Sequence, residues 1–374
     1  MPSARIVRST EVLSSPRVLQ VEGMFDVPRL SCAQRTWDVE LPLDENPWQL
    51  GLIVGPSGSG KSTIARELFG DAIVDSWNWP SRAAVVDGFP SEMSIGEVTA
   101  LLSSVGFSSP PSWLRPYSTL SNGEQFRVTI ARTLAEQPTL AVVDEYSSVV
   151  DRRVARVGSA ALAKAIRKGS SQFVAVTCHE DVEDWLTPDW VFRTDENRLF
   201  WRILRPRPPI TLRIEPTTRQ VWKMFREHHY LSGALSPAAR CYLARVDEMP
   251  AAFTAVLYWP HPTRPGFREH RTVCLPDFQG VGIGNQLSEF VASMYRAAGR
   301  VYRSVTSSPA MIRHRAKSAL WRMTRGPSRV SDLPRKRSLR TTSSIRRRTA
   351  SFEYVGPPRP KEASRFGILK RAQE

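Results

Sequence analysis

Apolar and polar residues alternate along VLQVEGMFDV (18–27) and TWDVELPL (36–43), a period of two that predicts half-buried strands. Three unbroken apolar runs follow: LGLIV at 50–54, LAVVD at 140–144 and FVAVT at 173–177. Their β-branched content predicts interior strands of a parallel sheet, and the segments between them carry helical spacing. Residues 1–205 therefore read as an α/β domain. RPRPP at 205–209 ends the pattern, because proline donates no amide hydrogen bond and restricts its predecessor, and predicts a linker. A second pattern starts near Ile210 with strand-like TLRIE, helical VWKMFREHHYL, and strands CYLARV, AAFTAVLYW and one near RTVCLP. A glycine turn and a helix from Asn285 to Ala298 complete a smaller α+β domain over 210–325. From 326 to 374 Pro, Ser, Thr and Arg dominate without a period, which predicts a mostly disordered tail.

Charge sharpens the reading of that tail. The 374 residues carry a net charge of +16, and residues 311–350 hold 13 Lys or Arg against one acid, Asp332. Such a cluster attracts polyanions by releasing their counterions. Nucleic acid, DNA first, is the expected partner, with an acidic membrane surface or a solvated tail without a fixed ligand as the alternatives. Cys32, Cys178, Cys241 and Cys274 are widely spaced, with no C-x-x-C pair, which suits a reducing compartment and argues against a zinc ribbon. The chain has no uninterrupted apolar run of membrane-spanning length and no signal-peptide layout, so it is read as cytoplasmic, without a membrane partner.

The clearest chemistry follows the first apolar run. Gly55, Pro56, Ser57, Gly58, Ser59, Gly60, Lys61, Ser62 and Thr63 fit G-x-x-x-x-G-K-[ST], in which backbone amides face phosphates, the lysine reaches the terminal ones and Ser62 ligates magnesium. These residues predict binding of ATP with Mg2+. In TLAVVDE (139–145) an apolar strand delivers Asp144 toward the metal and Glu145 toward the attacking water.

Between these segments LSNGEQFRVTIARTL (120–134) resembles the signature of the ATP-binding-cassette (ABC) family, whose LSGGQ loop opens a helix that donates amides to the γ-phosphate of a partner's ATP. The resemblance covers about residues 18–200. It gives Ser121 and Gly123 to the nucleotide, likens SSVVD (147–151) to the loop after the catalytic glutamate, and puts His179 at the switch histidine. It implies a P-loop ABC-type ATPase closing as a head-to-tail homodimer. Asn122, Glu124 and Tyr146 depart from the family pattern, and Asp87 stands where a transporter-coupling glutamine is usual. Phe25 and Trp37 are both candidates for stacking on adenine.

In the second domain QGVGIG (279–284) fits Q/R-x-x-G-x-G/A, the loop by which GNAT-superfamily acetyltransferases hold the pyrophosphate of acyl-coenzyme A. The resemblance implies a GNAT-like domain that binds acetyl-CoA or another acyl-CoA through Gln279, Gly280, Gly282 and Gly284. Together HHYLSG (228–233) and HRTVCLPDFQGVGIG (270–284) resemble the Mom-type proteins of bacteriophages, GNAT-like enzymes that modify adenine in DNA. His228, His229 and Tyr230 are the candidates for substrate contact or proton transfer, and Arg271 for a phosphate or an acid. Packing at a helix end is the alternative role for the histidine cluster. The expected function is an ATPase coupled to acyl-CoA-dependent modification of nucleic acid. The alternatives are a nucleotide-switched, repair-type DNA-binding ATPase with a non-catalytic GNAT fold, and an acetyltransferase acting on protein or a small molecule.

Overall fold

The computed structural model describes residues 3–29, 32–74, 76–201, 208–230, 233–329 and 347–369. In chain order the early elements are β1 (Ser3–Glu11), α1 (Pro16–Phe25), β2 (Cys32–Glu40), β3 (Leu50–Val54), α2 (Lys61–Phe69), β4 (Ile73–Val74), α3 (Ile95–Ser104), α4 (Pro110–Trp113) and α5 (Asn122–Glu136). Then come β5 (Leu140–Val143), α6 (Arg152–Ile166), β6 (Gln172–Thr177), α7 (Val182–Leu186), β7 (Trp190–Arg193) and β8 (Arg198–Trp201). The remainder holds β9 (Arg213–Thr217), α8 (Trp222–Phe225), β10 (Arg240–Val246), β11 (Met249–Trp259), β12 (Gly266–Cys274), α9 (Ile283–Ala297), β13 (Val301–Thr306), α10 (Pro309–Lys317), β14 (Trp321–Ser328), β15 (Thr349–Tyr354) and α11 (Pro360–Arg365).

Two compact units emerge, one of residues 1–77, 137–148 and 166–206, the other of 78–136, 149–165 and 207–374. The division thus does not fall simply at the linker expected at 205–209, part of which lies outside the described residues. Residues 78–136 and 149–165 join the later chain because their side chains pack there: Val157 of α6 shares a buried core with Tyr242, Ile283 and Leu287.

In the first unit six strands form one sheet in the order β4-β5-β6-β3-β7-β8, parallel except for the β7–β8 pair. β3 is buried along its whole length, as an apolar run covered on both faces must be. Residues 18–27, expected as a strand, form a helix instead. Ser15 caps it by accepting from the Val18 amide, Pro16 supplies the preset φ of a first helical turn, and Val18, Val21 and Phe25 fall at helical spacing. The partner of β2 is β1, which pairs antiparallel from Ser3↔Glu40 to Glu11↔Cys32.

The second unit is built on a seven-stranded sheet in the order β14-β15-β13-β12-β11-β10-β9. Its pairs are antiparallel except β12–β13, which run parallel and pair only at Gly266–Arg268 against Val301–Arg303. Beyond that short register the two strands share no further pairs, and α9 connects them. Its apolar stripe of Ile283, Leu287, Val291 and Tyr295 is buried in the core with Tyr302, Phe352 and Tyr354 of the sheet. The helix expected over 221–231 is a single turn, α8, flanked by 3-10 turns at Arg219–Val221 and Arg226–His228. The expectation of a disordered tail from 326 is corrected: β15 lies inside the sheet, between β13 and β14. Ala350, Phe352 and Tyr354 are buried there, so alternate residues of this short strand supply the apolar contacts that hold it. The basic run from Arg335 to Arg346 lies outside the described residues.

Candidate functional site

β3, β6 and β5 are adjacent and parallel, so the turns after their C-terminal ends leave the same edge of the sheet. Those turns carry the 55–60 loop, His179, and the Asp144–Glu145 pair, and this edge is where open α/β sheets bind ligands. No side chain caps α2, leaving its first amides available to an anion. The buried Lys61 ammonium donates to the Pro56 carbonyl at 2.8 Å, so the loop curls around it. Trp37 lies against this loop, its indole donating to the Ser59 carbonyl at 2.9 Å, whereas Phe25 is exposed on α1.

Asp144 accepts from the Glu145 amide at 2.9 Å. Glu145 and Ser147 both adopt left-handed backbone, at φ 50° and 64°, a cost for residues with a Cβ that surrounding contacts must offset. Tyr146 provides one: it is buried, its amide donates to the Val176 carbonyl at 2.8 Å, and its ring meets Phe173 edge-on. The tyrosine at this position therefore anchors the loop, and the Glu145 carboxylate beside it is exposed, accepting from the Ser148 hydroxyl at 2.6 Å. His179 is half-buried, and its amide donates to Thr177 Oγ1 at 3.2 Å. Ser62 on the first turn of α2 and Asp144 at the end of β5 supply hard oxygen donors. One hydroxyl and one carboxylate suit Mg2+ that completes its shell with phosphates and water. Among the described residues no cluster of three or more His, Cys, Asp or Glu could hold a metal.

In the second unit α5 begins within the LSNGEQ segment. The Ser121 hydroxyl accepts from the Glu124 amide, and the Glu124 carboxylate accepts from the Ser121 amide at 3.0 Å, a reciprocal capping box. Glu124 also accepts from the Ser112 hydroxyl at 2.7 Å. Its departure from glutamine thus has a local structural role.

The QGVGIG loop joins β12 to α9 and is bound to α5. Arg127, buried in the middle of α5, donates to the carbonyls of Asp277 at 2.8 Å, Gln279 at 3.3 Å and Val105 at 3.2 Å. Gln279 Oε1 accepts from the Ser108 amide at 2.6 Å, and its Nε2 donates to the Cys274 carbonyl at 2.8 Å. Gln279 is therefore an internal tie of the loop. Gly280, at φ 91°, is pressed against Gly106 and Ala161, and a Cβ there would lie 2.6 Å from that of Ala161. Gly282 differs: at φ 96° it precedes α9, and a Cβ would meet nothing within 4 Å. An anion can approach its backbone closely, at a helix start that no side chain caps. These features fit a pyrophosphate at Gly282–Gly284 and give Gln279 and Gly280 to packing.

His229 and Tyr230 stack at 4.9 Å between ring centroids, with Trp222 edge-on to His229 at 5.6 Å and Arg347 over the Tyr230 ring at 5.6 Å. His228 is set apart from that pair, ending a 3-10 turn within electrostatic reach of Asp277. Burial pushes the Asp277 carboxyl up, and Arg127 beside it offsets part of that. The sequence reading passed over His270, which sits in an irregular step of β12 where Glu269 and Arg271 face consecutive residues of β11. Its Nε2 accepts from the Ser236 amide. Burial, then Arg271 and Arg268, lower its pKa from 6.5 to about 4, so it stays a neutral imidazole near pH 7. The neighbouring Arg271 is buried and donates to the carbonyls of His270 at 2.9 Å and Ala234 at 3.3 Å, fixing the turn rather than pairing with an acid.

The depressed His270 has a consequence for stability. Between about pH 6.5 and about 4 the unfolded chain binds the proton that folded His270 refuses, so stability falls as the pH drops through that window. Thermal melts should show this slope, and His270→Asn should flatten it; an equal slope in both proteins would refute the assignment.

No family model matches the chain. An uncharacterized ABC transporter ATP-binding protein of Synechocystis is 31% identical over 143 residues, covering 30% of this chain and 21% of that protein. The zinc import ATP-binding protein ZnuC of Cereibacter sphaeroides is 30% identical over 134 residues, 30% of this chain and 54% of its own. The chain thus spans from a fifth to about half of the length of the curated relatives it matches. Among solved structures, a dimeric bacterial ABC transporter cassette aligns at 19% identity over 42% of this chain and 87% of its own, with a TM-score of 0.34. Over about a third of its length, which includes the P-loop site, the chain is similar to ABC-type ATP-binding proteins.

Proposed function

We propose that the chain is an ABC-type ATPase joined to an acyl-CoA-dependent transferase whose acceptor is nucleic acid, with DNA the first expectation. In the ATPase, the amides of 55–60 and Lys61 hold the phosphates, Ser62 and Asp144 hold Mg2+, and Glu145 orients the attacking water with His179 beside it. Trp37, whose indole lies against the phosphate loop, is the candidate we favour over Phe25 for stacking on adenine. Two chains pair head to tail, Ser121 and Gly123 of each closing the ATP site of the other.

The observation that carries the transferase reading is the open, left-handed Gly282 at the start of α9, where β12 and β13 have ceased to pair. Bound there, acyl-CoA supplies an activated thioester. The chain's residues hold its pyrophosphate at Gly282 and Gly284, and His228, His229 and Tyr230 are the candidates to take a proton from an attacking amine. The names of the relatives tie them to transport. No helix among the described residues is long and apolar enough to cross a membrane.

Gly282→Glu tests the reading. A carboxylate in the pyrophosphate's place excludes it by bulk and by charge, so calorimetry should lose acyl-CoA binding, and modified nucleosides should vanish from cells expressing the variant. ATP hydrolysis should persist. Wild-type protein without acyl-CoA affinity would remove the transferase and leave the ATPase standing.

A further inference from the structure

The β12–β14 part of the second sheet carries a row of charged side chains. Register pairs Arg268 with Arg303, Arg303 with Glu353, and Glu353 with Arg322, and directly paired residues share a face of the sheet. It is the face away from α9, because Tyr302, Phe352 and Tyr354, the alternating neighbours, are buried in the α9 core. Glu353 is buried and is met by Arg264 and Arg322, each at 2.9 Å, and by Arg303 at 3.9 Å. One carboxylate needs one guanidinium. Three converge on it, and Arg268 extends the row with no acid in register opposite it, so this face keeps surplus positive charge. Arg322 and Arg264 are about half exposed, at 59% and 49% of their side chains. An aromatic group flanks the row: Arg303 lies 4.1 Å over the Trp259 ring, and the His261 ring is tilted against the same ring, 4.5 Å between centroids.

We infer that this face binds a single-stranded nucleic acid, its phosphates on Arg268, Arg322 and Arg264 and a base against the Trp259–His261 pair. The inference rests on the nucleic-acid acceptor proposed above and names the surface that carries it. Guanidinium forks match phosphate oxygens, and a ring at the margin of a cationic surface offers a base a stacking partner without regard to sequence. A sheet face with arginines and aromatics suits an unpaired strand, whose bases are free to splay. A membrane surface would be met instead by an apolar wedge, and the paired row from Arg268 to Arg322 is charged throughout.

The double variant Arg268→Ser/Arg322→Ser leaves Arg264 and Arg303 on Glu353, so the buried carboxylate keeps its partners. Full-length protein is titrated with labelled oligo(dT), oligo(U) and a DNA duplex over a range of salt, beside vesicles containing anionic lipid. The wild type should bind an unpaired strand more tightly than the duplex, and the relative affinity for dT and U identifies the natural strand. In the serine variant the slope of log affinity against log salt should fall by roughly 1.4, about 0.7 for each phosphate contact removed. Arg268→Lys/Arg322→Lys should restore most of it, with ATP hydrolysis and melting unchanged in all three proteins. A wild type that binds strands while the serine variant binds with equal affinity and slope overturns this surface and leaves the acceptor class intact. A wild type that binds no strand at low salt, or only the vesicles, overturns both.

Discussion

Glu145→Gln should lower ATP turnover roughly 10²- to 10⁴-fold, the usual worth of a positioned acid or base, while ATP still binds. The amide has nearly the shape of the carboxylate and can still accept from the Ser148 hydroxyl, so the left-handed turn at 145–147 is retained. What is lost is the negative charge that draws a proton from water. ATP held without hydrolysis should keep two chains joined through their signature segments. Light scattering should therefore find a dimer with ATP and Mg2+ that is absent with ADP, and phosphate release should be near background. Turnover equal to wild type would show that Glu145 is not the base. Lys61→Ala provides the contrast, since it removes the ammonium that reaches the phosphates and should abolish binding itself.

Replacing Arg127 by leucine should destabilise the second unit by at least about 3 kcal/mol, because three carbonyls lose their donor inside the protein and each such loss costs about 1–3 kcal/mol. The carbonyls belong to Val105, Asp277 and Gln279, so the change loosens the QGVGIG loop from α5. Denaturant titration should show an earlier transition, and acyl-CoA affinity should fall even where the variant is still folded. Arg127→Lys, which keeps the charge but not the forked donors, should lie between. An unchanged midpoint for Arg127→Leu would mean that the loop holds itself.

The P-loop was legible because its chemistry is contiguous: glycines, lysine and serine follow one another between a buried strand and a helix. β3, β5 and β6 were legible because burial on both faces leaves an unmistakable apolar run. β15 was not, since Ala350, Phe352 and Tyr354 are only three alternating positions at the end of a strongly basic stretch. Arg127 did leave a signal. It falls three residues after Glu124 and three before Ile130 on the inward stripe of α5, where a charge requires a buried partner. The partners are some 150 residues away, beyond any local pattern. His270 was hidden by an irregularity in strand pairing, which sequence spacing does not record. Gln279 and Gly280 fitted the phosphate-loop pattern by spacing, yet their contacts assign them to packing, and only Gly282 has the open approach the pattern implies.

The long separation between Arg127 and its acceptors also bears on how the protein is made. A ribosome adding about 5–20 residues per second delivers Asp277 roughly 8–30 s after Arg127. For that interval a guanidinium destined for the interior has no native acceptor from the later segment, and the 78–136 helices have only part of their native surroundings. β13 and β14 must then wait for β15, synthesised after both, before their shared neighbour exists. Until it arrives their unpaired edges are open to other chains. Nascent chains halted before residue 349 should accordingly bind chaperones or aggregate, while chains halted after 369 should not.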